Sequence, residues 1–120
     1  MDWNLDKDRP ICPQIAEQLC VRIANGELHP HDRLPSVRDI AVSAGVNPNT
    51  VQRALESLEL QGIIYSVRGS GSFVAEDTAR AQTAVDALLK EKTAAYFAQM
   101  RALGIAPEQV KHYVEEWHYE

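Results

Sequence analysis

The chain has 120 residues, 45% of them hydrophobic and 24% charged, with 17 acidic side chains against 12 Lys and Arg and a formal net charge of −5. That length suits one compact domain with an appended helical arm, and so average a composition excludes disorder and fibrous architectures. The apolar runs fall far short of the roughly 20 residues that cross a bilayer, and the polar, acidic start MDWNLDKDRP is unlike a signal peptide; the expectation is a cytoplasmic protein with no membrane partner.

Residues 1–10 read as an extended lead-in in which Trp3 packs on the domain, closed by Pro10 at a helix start. From Ile11, the apolar positions Ile15, Leu19 and Ile23 recur at four-residue steps, predicting an amphipathic helix that ends at Asn25-Gly26. Cys12 and Cys20 lie on this helix about 12 Å apart, too far for a disulfide or a shared metal, so they are expected as free thiols. Gly26, Pro30 and Pro35 then keep NGELHPHDRLP a loop.

Ser36 has the N-cap spacing to Asp39, and Val37, Ile40, Ala41 and Ala44 supply the apolar face of a second helix stopped by Gly45. Asn47 and Pro48 open a third helix almost at once, with Val51, Ala54, Leu55 and Leu58 as its buried stripe and Gly62 as its end. Two helices about a tight Gly turn form a helix-turn-helix pattern. Ile63–Val67 and Ser72–Ala75, about the turn Arg68-Gly69-Ser70-Gly71, predict a hairpin placed where a wing would be. The fold expected for residues 1–75 is therefore a winged helix-turn-helix domain, mostly α with a small β-hairpin wing.

Residues 76–120 read as a two-helix C-terminal dimerisation arm. A stripe of Ala81, Val85, Leu88, Leu89, Tyr96, Met100 and Leu103 predicts one long helix over 77–103, about 40 Å in length. Gly104 breaks it, Pro107 restarts a helix, and Val110, Tyr113, Val114 and Trp117 fall on one face at i, i+3, i+4 and i+7. Such helices cannot enclose a core alone, so the expected dimer interface comprises Val85, Leu88, Leu89, Tyr96, Met100, Val110, Tyr113, Val114 and Trp117. Tyr113, Val114 and Trp117 could instead line an effector pocket. The four histidines have no zinc spacing with the cysteines; His112 with Glu115 or Glu116 could touch a metal across one turn, but reads as a solvated helix face. No metal or cofactor is expected.

The net negative charge counts against a general polyanion binder, yet it is an average. Residues 33–75 carry Arg33, Arg38, Arg53 and Arg68 against Asp39, Glu56 and Glu59. Each base there is Arg, whose planar fork suits phosphate and guanine. A recognition helix enters the major groove N-terminus first, which presents Asn47, Asn49, Thr50, Gln52 and Arg53 and leaves Glu56 and Glu59 pointing away. Asn and Gln pair bidentately with adenine, Arg with guanine, and Thr reaches phosphate or a thymine methyl.

Taken in order, Gly26-Glu27-Leu28, Asp32-Arg33-Leu34-Pro35-Ser36-Val37-Arg38-Asp39-Ile40-Ala41, Gly45-Val46-Asn47-Pro48-Asn49-Thr50-Val51-Gln52-Arg53-Ala54-Leu55, Leu58-Glu59 with Gly62, and the wing Arg68-Gly69-Ser70-Gly71-Ser72-Phe73-Val74 resemble the GntR family of bacterial transcriptional regulators. The lead-in Pro10-Ile11 with Gln14-Ile15 fits too. The resemblance implies a homodimeric repressor on a palindromic double-stranded operator. It also implies DNA contacts from Ser36, Arg38, Asn47, Pro48, Asn49, Thr50, Gln52, Arg53, Arg68, Gly69, Ser70 and Gly71. The short tail resembles the YtrA-like subfamily, whose members dimerise through it and often lie beside ABC-transporter genes; an effector stays unknown. The chain departs from the pattern at Cys12, at Leu55 and at Pro30-His31-Asp32, where Pro-Gly-Asp is common, so His31 is expected either to strain that turn or to alter its type. No nucleophile–base pair, paired carboxylates or phosphate loop points to an enzyme. The competing reading is a winged helix used for protein–protein contact without DNA.

Overall fold

The elements of the computed structural model, which describes residues 1–119, follow the expected order: α1 (Ile11–Ala24), α2 (Val37–Ala44), α3 (Pro48–Leu60), β1 (Ile64–Val67), β2 (Gly71–Val74), α4 (Ala79–Ala102) and α5 (Pro107–Glu116). The chain forms two units, Met1–Val85 and Asp86–Glu120, and the division falls inside α4. None of the described helices is long and apolar enough to cross a membrane.

In the first unit α3 packs against α1 and α2 and meets β1. The stripes read from the sequence supply the core: Ile15, Leu19 and Ile23 of α1, Ile40 and Ala41 of α2, and Val51, Ala54, Leu55 and Leu58 of α3 are all buried. Leu34, Ile63, Ile64, Val74 and Ala81 close it, while Val85 is half-buried against it. Each large apolar side chain so enclosed contributes about 1.5–3 kcal/mol. Cys20 lies in this core as a free thiol, and burial, with the nearby Glu17 carboxylate, pushes its pKa up.

The lead-in is strapped down by side chains whose partners no local pattern announces. Gln14, buried at the start of α1, donates to the carbonyls of Asp6, Arg9 and Pro10 and accepts from the Asp6 amide at 2.7 Å. It serves the entry to a helix whose own N-cap, Pro10, has no side-chain acceptor. Trp3 donates its indole N–H to the Ser43 hydroxyl at 2.9 Å, and the Arg22 guanidinium lies 4.7 Å over its ring. The Asp6 carboxylate is held below its usual range by the amide of Asp8 and then by Arg9.

β1 begins one residue later than expected, and β2 lies one residue earlier, at 71–74 in place of 72–75. Gly71 is already in β2, paired with Val67, because the Ser70 amide closes the turn onto the Val67 carbonyl at 2.9 Å. The segment before α2 is also more than a loop. Arg33 bridges Phe73 antiparallel, with amide bonds from His31 to Val74 and from Leu34 to Ser72, so 31–34 lines the outer edge of β2.

In the second unit Gly104, at φ +81°, ends α4, and the Ile105 amide returns to the Met100 carbonyl. Gln109 accepts from the Ala106 amide, which opens α5 at Pro107. Val110 is buried. Trp117 corrects the expected helical face: it has φ −74° and ψ 136° and lies beyond the helix end. Glu115 and Glu116 stand in the last turn with no basic residue, a poor match to the negative helix pole.

Candidate nucleic-acid interface

Local capping sets the approach to the helix-turn-helix. The Ser36 hydroxyl accepts from the Asp39 amide at 3.0 Å, leaving its own proton free for an outside acceptor. Arg38 stands exposed in the first turn of α2. Gly45, left-handed at φ +67°, terminates α2. Two residues on, the Asn47 side chain accepts from the Asn49 amide at 2.8 Å with Pro48 at the first position of α3. The Asn47 oxygen is thus engaged by the cap, and its NH2 remains for a partner.

Along α3 the buried stripe faces the core, and Pro48, Asn49, Gln52 and Arg53 are exposed, with Thr50 half-buried. Glu56, one turn beyond Gln52 on the same face, accepts from the Gln52 amide Nε2 at 3.2 Å. An i, i+4 pair shares a face by helix geometry, so the position of Glu56 was legible in its spacing.

Arg68, Gly69 and Ser70 form the exposed wing tip, where Gly69 takes φ +82°. Between wing, α2 and α3 runs a groove of about 310 Å³ lined by Ser36, Gln52, Gly69 and Gly71, together with Arg33, Ser66 and Ser72. It brings together four of the residues expected at the site. The others, Arg38, Asn47, Pro48, Asn49, Thr50, Arg53, Arg68 and Ser70, do not line it. Arg33 was not among the expected contacts. Its guanidinium lies over Gly71, 3.3 Å from where a Cβ would stand, and its signal in the sequence was membership of the all-Arg set. His31 adopts the left-handed backbone expected to be strained there, at φ +67°, and its Nδ1 lies 2.9 Å from the Tyr65 hydroxyl. Tyr65 in turn stacks on Phe73, centroids 5.5 Å apart.

The residues expected at a dimer interface divide by burial. Leu89, Tyr96, Tyr113, Val114 and Trp117 are exposed; Val85, Leu88 and Met100 are half-buried, and Val110 is buried. A hollow of about 300 Å³ lies on α5, lined by Glu108, Gln109, His112 and Tyr113. His112 pairs with Glu116 at 3.3 Å rather than with Glu115. Among the described residues no cluster of three metal-ligating side chains occurs.

The comparisons with known proteins agree with this geometry. Residues 13–74 match the family model described as bacterial regulatory proteins, gntR family. The chain is 39% identical over 110 residues to the HTH-type transcriptional regulator YhcF of Bacillus subtilis, covering 92% of this chain and 91% of that one. It is 33% identical over 110 residues to the HTH-type transcriptional repressor YtrA of the same organism, covering 89% and 83% respectively. Among solved structures, a GntR family transcriptional regulator from Listeria monocytogenes superposes with a TM-score of 0.83 at 35% identity, covering 95% of this chain and all of that one. With helix-turn-helix, wing and full-length relatives in agreement, the chain belongs to the GntR family of DNA-binding transcriptional regulators.

Proposed function

We propose that the protein is a homodimeric repressor that occupies an inverted-repeat operator, acting in the cytoplasm. The observation that carries this reading is the exposed polar face of α3 beside the wing groove, with Arg33 lining that groove and Arg38, Arg53 and Arg68 exposed on α2, α3 and the wing tip. In the proposed mechanism Arg33, Arg38 and Arg68 hold phosphates and set the register, Asn49, Gln52 and Arg53 read base edges, and Gly69 and Gly71 let the wing backbone come close to the duplex. With a formal charge of −5, non-specific attraction is weak, so affinity leans on placed contacts and on two copies binding together.

The exposed apolar side chains Leu89, Tyr96, Tyr113, Val114 and Trp117 support the second half of the proposal: two copies cover these faces and present two α3 helices to successive major grooves, about 34 Å apart. This favours subunit contact over an effector pocket for Tyr113, Val114 and Trp117. YtrA is named a repressor, and on that likeness repression is the proposed role; an ABC-transporter operon is the proposed target on the resemblance of the short tail alone.

Operator binding by the full chain, measured by fluorescence anisotropy at several salt concentrations, tests the reading. Arg38→Ala should weaken binding by about 1–3 kcal/mol with the thermal midpoint unchanged. An interaction module without DNA would show no affinity and no salt dependence. Tyr113→Glu with Leu89→Glu should yield a monomer by sedimentation and a matching loss of operator affinity; a dimer that binds as before would overturn the arm's role.

A further inference from the structure

We propose that Glu56 is a positioning residue that sets the base preference of Gln52, an inference that rests on the reading of Gln52 as a base contact. The two side chains are one turn apart on the exposed face of α3, with Gln52 Nε2 donating to Glu56 Oε1 at 3.2 Å. A carboxylate has only acceptors to offer, so it accommodates the amide in one orientation: NH2 toward Glu56, with Oε1 turned from it. The opposite flip would set two acceptors against each other.

That orientation matters for readout. Bidentate pairing with adenine needs Oε1 as acceptor and the N–H beside it as donor. The second N–H on the same nitrogen remains for Glu56, so pin and base contact use different atoms of one amide. Without Glu56, the amide turns freely and Gln52 can offer donor or acceptor to either base edge. Glu56 also brings a negative charge to a surface that approaches phosphates. Its exposure there raises the cost of every complex, and base selectivity is the compensating gain.

Selection of bound duplexes from a randomised pool, run on the full-length wild type, Glu56→Ala, Glu56→Gln, Gln52→Ala and the double variant Gln52→Ala/Glu56→Ala, tests this. Wild type should prefer adenine at one position of each half-site by about fivefold to a hundredfold, and Gln52→Ala should erase that preference alone. Glu56→Ala should reduce the same preference at least about threefold while total affinity holds or rises. Glu56→Gln, which can present either an acceptor or a donor, should fall between. The double variant should match Gln52→Ala. If Gln52→Ala erases the preference and Glu56→Ala leaves it intact, or shifts all positions equally, the positioning role is overturned and the base contact stands. If Gln52→Ala itself changes nothing, both fall together.

Discussion

Replacing Gly71 by alanine tests the link between wing conformation and the groove. Gly71 has φ +119°, a backbone that an L side chain rarely adopts, and an added Cβ would stand 3.3 Å from Arg33 Nε and 3.6 Å from its Nη2. Backbone strain of this kind costs about 1–3 kcal/mol, while the less flexible unfolded chain returns about 0.4–1 kcal/mol. The Arg33 side chain is exposed and can give way by a few tenths of an ångström at little cost. The expected net loss is therefore about 1–2 kcal/mol, which lowers the midpoint of a domain this size by about 5–15 °C. Gly69→Ala is the matched control: φ is +82° and nothing lies within 4 Å of its Cβ, so strain acts there without crowding. Thermal unfolding followed by circular dichroism gives the first comparison. Operator affinity, measured well below both midpoints, gives the second, because displacing Arg33 should weaken binding about fivefold on the worth of one phosphate contact. A Gly71→Ala chain with a wild-type midpoint would refute the strain argument. An equal loss of affinity from Gly71→Ala when Arg33 is already alanine would refute the route through Arg33.

Gln14→Ala should destabilise the first unit by about 2–3 kcal/mol, since it strips the acceptor from the Asp6 amide and the two N–H donors shared among three carbonyls, at about 1 kcal/mol for each hydrogen bond; urea denaturation measures it, and a loss below about 1 kcal/mol would show that water replaces the staple. At His31 two substitutions separate strain from contact. Glycine relieves the left-handed backbone while losing the Tyr65 hydrogen bond and should stay within about 1 kcal/mol of wild type, whereas valine, β-branched at φ +67°, should cost about 1–2 kcal/mol more. Equal midpoints for the two would mean that the turn has changed type. Cys20, with its thiol pKa raised by burial, should resist alkylation in the native protein, and its preference for the neutral form should be lost as stability when pH rises past the ordinary thiol value of 9.0. Rapid labelling of Cys20 without unfolding would refute its enclosure.

What was legible in the chain was whatever rests on neighbours within one helical turn. Ser36 caps α2 and Asn47 caps α3 because a short polar side chain reaches an amide two or three residues on, and Gly45, Gly62 and Gly104 stop helices because their backbones turn left-handed. The apolar spacing of α1, α2 and α3 named most of the core for the same reason. The pairing of Gln52 with Glu56 is equally local, set by i, i+4 spacing on one helix face. Tertiary structure alone decided the rest. Trp3 meets Ser43 across 40 residues, Arg33 meets Phe73 beyond α2 and α3, and the lead-in folds back on Gln14. Those partners are set by chain closure and packing, which no periodicity encodes. The charge of −5 likewise describes only the sum; the fold distributes it, setting four arginines around the α3 and wing surface and one acid beside the side chain proposed to read a base.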